Sequence, residues 1–403
     1  EPSTGTISET PREQLDDILA GLRTRAEVWS ATGVSARIAL LEELLQTTLA
    51  AAADWVEVAA RAKGIDPTSP LQGEDWGSGP VVVLRNLSLL RRTLLAIEKT
   101  GRPQPSAVTT RDDGQVEVHV MPAEPLDRLL FPGYTARTRL HRGVTEEQAL
   151  ARMGRIYRDT YEPTPSVALV LGAGNVSSIG PMDALYQLFA LDRVVVLKMS
   201  PVNQILGPHI GEAFEPLIRE GFLRIVYGDV EVGDYLANHG EVDAIHVTGS
   251  DRTYEAIVFG AGEEGRARKA AGTPINHREI TAELGNVTPV IVVPGPWSQG
   301  DLDFHGHNLA SMLVHNAGFN CVAARMIVQH RAWSQRQRLL EAVRASLRQA
   351  EPRSAYYPGA AERWQRFIDT YGHAERFGPW HDPEERDDPD ERLHFTFIPE
   401  LDP

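Results

Sequence analysis

Cysteine is nearly absent from this chain: its 403 residues contain one, Cys321. An intramolecular disulfide is therefore impossible, which suits a reducing compartment such as the cytoplasm. Basic residues are also in deficit, 40 against 55 acidic ones, for a formal net charge of −15. Such a balance repels a phosphate backbone and leaves no basic stripe for nucleic acid. Long uninterrupted apolar runs are missing too. Pro163 to Met182 carries no charge, but Gly172, Gly174, Asn175, Ser177, Ser178, Gly180 and Pro181 break it too often for a membrane helix. The first residues, Glu1-Pro2-Ser3-Thr4-Gly5, lack an apolar signal core and an initiator methionine, and read as trimmed or tag-derived. The 42% of hydrophobic residues is enough for two cores of ordinary size.

Apolar spacing at Ile38, Leu41, Leu45, Leu49, Ala52 and Val56 predicts a helix capped by Ser35 and stopped at Gly64. A second helix is expected from Val81 to Ile97. From Gln115 to His141 the pattern alternates as in strands, with Val116, Val118 and Val120 on one face and Glu117 and His119 on the other. From Ser166 the chain alternates β-branched runs (Val167 to Leu171, Arg193 to Lys198, Leu223 to Val226, Ala244 to Val247) with helical stretches (Met182 to Leu191, Gln204 to Glu220, Val232 to Asn238). This alternation predicts an α/β fold with a Rossmann-like parallel sheet and ligands at the strand carboxyl ends. Gly260 to Lys269 reads as a polar, glycine-containing loop, Ser334 to Gln349 as a charged helix, and Asp382 to Glu391 as a solvated acidic loop.

Cys321 sits in His315-Asn316-Ala317-Gly318-Phe319-Asn320-Cys321-Val322-Ala323-Ala324-Arg325, ahead of Met326-Ile327-Val328. Alone, such a cysteine is usually a small buried hydrophobe. The segment nevertheless resembles the active-site loop of the aldehyde dehydrogenase superfamily through Cys321, Ala323 and Arg325. Four upstream segments resemble that family in the same order. Thr281-Ala282-Glu283-Leu284-Gly285 is similar to its general-base segment, although Asn286 and Val287 stand where Gly and Lys are usual. Val247-Thr248-Gly249-Ser250 is similar to its pyrophosphate segment, Val196-Leu197-Lys198-Met199-Ser200-Pro201 to its ribose-binding strand end, and Gly172-Ala173-Gly174-Asn175 stands where its oxyanion asparagine lies.

The resemblance implies an aldehyde dehydrogenase-like chain, with a Rossmann-like cofactor domain and a second α/β catalytic domain shortened at its C-terminal end. The expected division is 1–160, a helical region with an oligomerisation hairpin; 161–283, the NAD(P)-binding domain; and 284–403, the incomplete catalytic domain. Cys321 would be the nucleophile, Glu283 the base for thioester hydrolysis, and Asn175 an oxyanion donor together with the Cys321 N–H. Lys198, Gly249, Ser250 and Leu284 would hold NAD or NADP. A small-molecule aldehyde would be the substrate, and a homo-oligomer the assembly. The plainer alternatives are a turn-forming Asn175, a surface carboxylate at Glu283, a surface lysine at Lys198 and a helix cap at Ser250. The strand after Glu283 suggests partial burial and a raised pKa there. No cation linked to the cysteine motif is evident, and His305, His307 and His315 lack the partners and spacing of a metal site.

Two departures bear on the cofactor. Pro201 stands where many NAD-using members place a ribose-gripping glutamate, which removes one repulsion against a 2′-phosphate and admits NADP. The chain also ends at Pro403, before any match to the family's later Glu-x-Phe motif. Gly174-Asn175-Val176 without a preceding Pro-Trp resembles the acyl-CoA reductase branch, an acylating alternative against which Glu283 argues. An inert binding or scaffold protein of the same fold is the third reading.

Overall fold

The run Arg193-Val-Val-Val-Leu-Lys198 has no alternation because both of its faces are covered, the signature of a strand inside a parallel sheet. In the computed structural model, which describes residues 7–351, 353–377 and 392–399, this strand is β5. The chain reaches it through α1 (Arg12–Ser30), α2 (Val34–Ala62), α3 (Gln72–Ser78) and α4 (Pro80–Thr100). A three-stranded antiparallel sheet follows, β1 (Val108–Thr110), β2 (Val116–Met121) and β3 (Ala136–Arg139), with α5 (Pro125–Leu130) between the last two. After α6 (Glu146–Arg152) come β4 (Ser166–Leu171), α7 (Ile179–Leu191), β5 (Arg193–Lys198), α8 (Gly207–Ala213), α9 (Glu215–Arg219), β6 (Leu223–Val226), α10 (Val230–Asn238), β7 (Ala244–Gly249), α11 (Asp251–Phe259), α12 (Gly262–Ala271) and β8 (Glu279–Leu284).

These five strands form a parallel sheet in the order β6-β5-β4-β7-β8. The chain leaves β4 toward one edge and returns to its other side at β7, so a crevice opens beyond their carboxyl ends. One apolar core joins Leu15, Trp29, Leu41, Trp55 and Leu87 from the N-terminal helices to the sheet residues Val167 to Ile245. A second core is built from β9 (Pro289–Val292), α13 (Gln299–Val314), β10 (Met326–Gln329) and α14 (Arg336–Leu347), with Phe377 and Phe395. β11 (Arg353–Ser354), α15 (Ala360–Thr370), β12 (Glu375–Phe377), β13 (Arg392–Leu393) and β14 (Phe395–Phe397) complete the described elements. The chain is an α/β protein with a Rossmann-like parallel sheet.

Several local expectations are corrected. Gly33, not Ser35, occupies the cap position of α2 and offers no side chain to it; Ser35 donates to Glu98 on α4 instead. Gln204 to Glu220 is not one helix, because Pro208 and Pro216 each restart the chain and divide it into a 3₁₀ turn, α8 and α9. The polar stretch at Gly260 is mostly helix: Gly260 turns at φ +89°, and α12 carries Glu263 and Glu264 in its first turn and Arg268 and Lys269 in its last, matching the helix dipole. In β2 burial does not follow the apolar face. Glu117 is buried among Arg111, Arg137 and Arg139, while Val120 is half exposed. The acidic run at Asp382 to Glu391 lies outside the described residues.

Candidate active site

Lys198 ends β5 with its side chain turned into the protein and only 7% of the residue exposed. Burial lowers its pKa to about 8 against the opposing pull of Asp229 and Glu9. Its ammonium has no hydrogen bond or ion pair among the described residues, so it is not an ordinary surface lysine. Close by, the Asn203 amide donates to the Ala173 carbonyl at 2.8 Å, while its buried Oδ1 has no partner among the described residues. Two strands away, Gly249 and Leu284 pair across β7 and β8. Gly249 is exposed, with nothing within 4 Å of where a Cβ would stand. Ser250 caps α11, its Oγ accepting the Thr253 N–H at 3.1 Å, while Asp251 Oδ1 accepts the Arg252 N–H at 2.9 Å. Beneath them Thr248 donates to Asp183 at 3.0 Å, and His246 sits 3.4 Å from the same carboxylate.

The loop that bears the thiol is held in an unusual backbone. After α13, Asn316 (φ 53°), Ala317 (φ 53°) and Gly318 (φ 79°) are all left-handed, a conformation that costs about 1 kcal/mol or more for each non-glycine residue. What sustains it is saturation of Asn316, which is 1% exposed. Its N–H donates to Glu74 Oε2 at 3.0 Å. Its amide donates to the Asn175 carbonyl at 2.8 Å and to Asn320 Oδ1 at 3.1 Å, and its Oδ1 accepts the Tyr356 hydroxyl at 3.0 Å. Glu74 in turn holds Arg353 in a two-pronged pair at 3.1 and 2.9 Å. Burial alone would raise the Glu74 pKa; Arg353, His315 and the Asn316 N–H outweigh it and hold the carboxyl below its usual range. Tyr356, pushed up by burial, stays a neutral donor.

Cys321 follows this turn and is exposed, while Ala323 and Ala324 are buried as anchors. Arg325 clips the loop from below: its N–H reaches the Val287 carbonyl at 3.3 Å and its guanidinium the Gly318 carbonyl at 2.8 Å. Burial lowers its pKa, Arg363 adds to that, and Cys321 opposes it, so guanidinium and thiol lie within electrostatic reach of each other. Arg325 thus places a guanidinium on the thiol loop itself.

The structure brings Asn175 to the thiol loop: its Nδ2 donates to the Phe319 carbonyl at 2.9 Å. Glu283 lies at the carboxyl end of β8, paired with Thr248. It is exposed, without a hydrogen bond or ion pair among the described residues, so the expected partial burial is not found: alternate residues of this edge strand face outward. The stretch just after it, however, touches the thiol loop through Val287 and Arg325. Among the described residues no group of three His, Cys, Asp or Glu side chains converges as metal ligands; His305 packs on Trp297 and His315 contacts Asn320. No described helix is long and apolar enough to cross a membrane.

The model of the aldehyde dehydrogenase family matches residues 134–361, more than half of the chain. The chain belongs to the aldehyde dehydrogenase family. Over 138 residues it is 30% identical to the D-glyceraldehyde dehydrogenase (NADP(+)) of Thermoplasma acidophilum, a stretch covering 34% of this chain and 25% of that one. Over 140 residues it is 29% identical to the malonate-semialdehyde dehydrogenase of Halalkalibacterium halodurans, covering 34% and 26%. The match thus spans about a quarter of these curated relatives. The glyceraldehyde-3-phosphate dehydrogenase of Methanocaldococcus jannaschii, solved with NADP, superposes with a TM-score of 0.64 at 15% identity, covering 97% of this chain and 72% of that one. An indole-3-acetaldehyde dehydrogenase solved with NAD+ gives 0.63 at 17% identity, covering 92% and 64%. Within this aldehyde dehydrogenase chain, sequence reasoning missed Glu74, Asn316, Arg353 and Tyr356. Only the turn-forming composition of Asn316-Ala317-Gly318 signalled that the thiol approach is special.

Proposed function

We propose that the protein oxidises a small-molecule aldehyde to a carboxylic acid with NAD or NADP, through a covalent adduct on Cys321. The observation that carries this reading is the Asn175–Phe319 hydrogen bond, which ties the carboxyl edge of the sheet to the loop holding the only thiol. A dinucleotide fits that edge: Lys198 offers a buried, unpaired ammonium, Asn203 an unused acceptor, Gly249 an open backbone and the start of α11 the positive end of a helix dipole. We assign 161–283 to cofactor binding and 284–403 to catalysis, with 1–160 packing on the former and its hairpin serving subunit association. A thiol that must stay reduced suits the cytoplasm.

The Cys321 thiolate adds to the aldehyde carbon, and the second N–H of the Asn175 amide, with the Cys321 backbone N–H, receives the new alkoxide, a contribution of roughly 3 kcal/mol per donor. A bound nicotinamide would supply the hydride acceptor that leaves a thioester on the sulfur. Glu283 then takes a proton from water, which attacks the thioester carbonyl and releases the acid and the thiol. The exposed position of Glu283 leaves it in contact with the water it must activate.

The test uses the full-length protein with an aldehyde panel and both cofactors. Cys321→Ala is expected to abolish oxidation while cofactor binding persists. Glu283→Gln is expected to slow turnover by about 10²-fold and let the thioester accumulate. Full activity in the alanine variant would overturn the nucleophile. Normal turnover in the glutamine variant, with no trapped thioester, would return Glu283 to a structural role and favour acyl transfer to another acceptor.

A further inference from the structure

The sequence after β5, Lys198-Met199-Ser200-Pro201, carries no carboxylate, yet Lys198 does not stand without acidic neighbours. Two approach it from elsewhere. Asp229 caps α10, its Oδ1 accepting the Glu231 N–H at 2.8 Å. The other is Glu9, on the segment ahead of α1. That segment is fixed by a clasp of two bonds just past the end of β6: the Thr10 N–H donates to the Tyr227 carbonyl at 3.1 Å, and the Tyr227 N–H to Thr10 Oγ1 at 3.0 Å. Thr10 is buried. Next to the clasp the chain must be glycine. A Cβ on Gly228 would stand 2.4 Å from a Val232 methyl and 3.1 Å from Glu9 Cγ. The close fit seats Glu9 against the β6–α10 turn, at the same carboxyl edge as Lys198.

We propose that Glu9 supplies the ribose-gripping carboxylate that the stretch after Lys198 lacks, and that with Asp229 it selects NAD over NADP. The inference rests on the placement of the cofactor at Lys198 argued above. Glu9 is exposed and has no hydrogen bond or ion pair among the described residues, so both of its oxygens are available to ribose hydroxyls. Neither carboxylate forms an ion pair with Lys198, although both act on its charge, and the gap between cation and anions is where hydroxyls would lie, accepting from one and donating to the other. A 2′-phosphate would instead bring two negative charges beside two carboxylates with a single cation to offset them.

The experiment is calorimetric titration of the full-length protein with NAD and with NADP, reading Kd rather than activity. The native protein is expected to bind NAD more tightly. Glu9→Gln, which keeps the shape and removes the charge, is expected to tighten NADP by about tenfold relative to NAD, and Glu9→Lys to shift the ratio further. Thr10→Val removes the side-chain half of the clasp without removing the carboxylate and is expected to shift the ratio the same way by a smaller factor. A native preference for NADP, or an NADP/NAD ratio unchanged in both Glu9 variants while Lys198→Ala weakens binding, would overturn the role of Glu9 alone. Affinities unchanged in Lys198→Ala would remove the cofactor placement itself, and this inference with it.

Discussion

Lys198 is the residue whose surroundings work hardest against its charge. Burial lowers its pKa to about 8 from an ordinary 10.5, and the two acidic neighbours only partly offset that. The consequences for stability and for binding have opposite signs. An unfolded chain keeps this lysine protonated up to about 10.5, while the native state sheds the proton from about 8, so the unfolded state binds more protons in between. This group therefore adds stability as pH rises from about 8 to 10.5. Over the same window the cation proposed to face the cofactor is lost. We predict that dinucleotide Kd rises through pH 8 while the urea midpoint gains a component, and that Lys198→Met removes both pH dependences. Parallel loss of affinity and stability would contradict the assignment. The burial of Lys198 could not be read from its type, which is among the most exposed; its place at the end of a continuous apolar strand was the available sign.

At the scale of elements, α3 acts on the thiol loop across 242 positions of sequence through the Glu74 carboxylate and the Asn316 N–H. The same carboxylate fixes Arg353 at β11. Glu74→Ala is expected to strip the buried guanidinium of its partner at a cost of about 3 kcal/mol, measured by urea unfolding, and to expose the Asn316 amide to hydrogen exchange. If that amide stays protected, the left-handed turn is held by the Asn316 side chain alone. β4 and β5 were legible because strands covered on both faces leave unbroken apolar runs, and β6 and β7, broken by Arg224 and His246, were legible from their place in the strand–helix alternation. The helix at Gly262 was not, because its stability lies in charges matched to the helix ends rather than in an apolar stripe. The division of Gln204 to Glu220 was written in its two prolines, which the helical spacing outweighed. Nothing local to Glu74, Arg353 or Tyr356 marks them, since each acquires its role from a partner far along the chain.

The molecule as a whole has two apolar cores, one running from Leu15 to Ile245 and the other from Val292 to Phe395. The candidate site lies where polar groups cross between them: Asn175 to Phe319, and Glu74 to Asn316 and Arg353. The motifs and their order announced one side of this junction and the thiol on the other, while the bonds that fasten the sides together appear only in three dimensions. The clasp between Thr10 and Tyr227 carries the same point into biosynthesis. Thr10 is synthesised 217 residues before its partner, so the cradle proposed for the ribose cannot close until β6 has been made. A nascent chain would pass through a stage in which β4 and β5 are made but their neighbouring pocket is open. If the clasp does seat Glu9 at the ribose, a change at Thr10 alters nucleotide choice from a position that no comparison of active-site motifs would inspect.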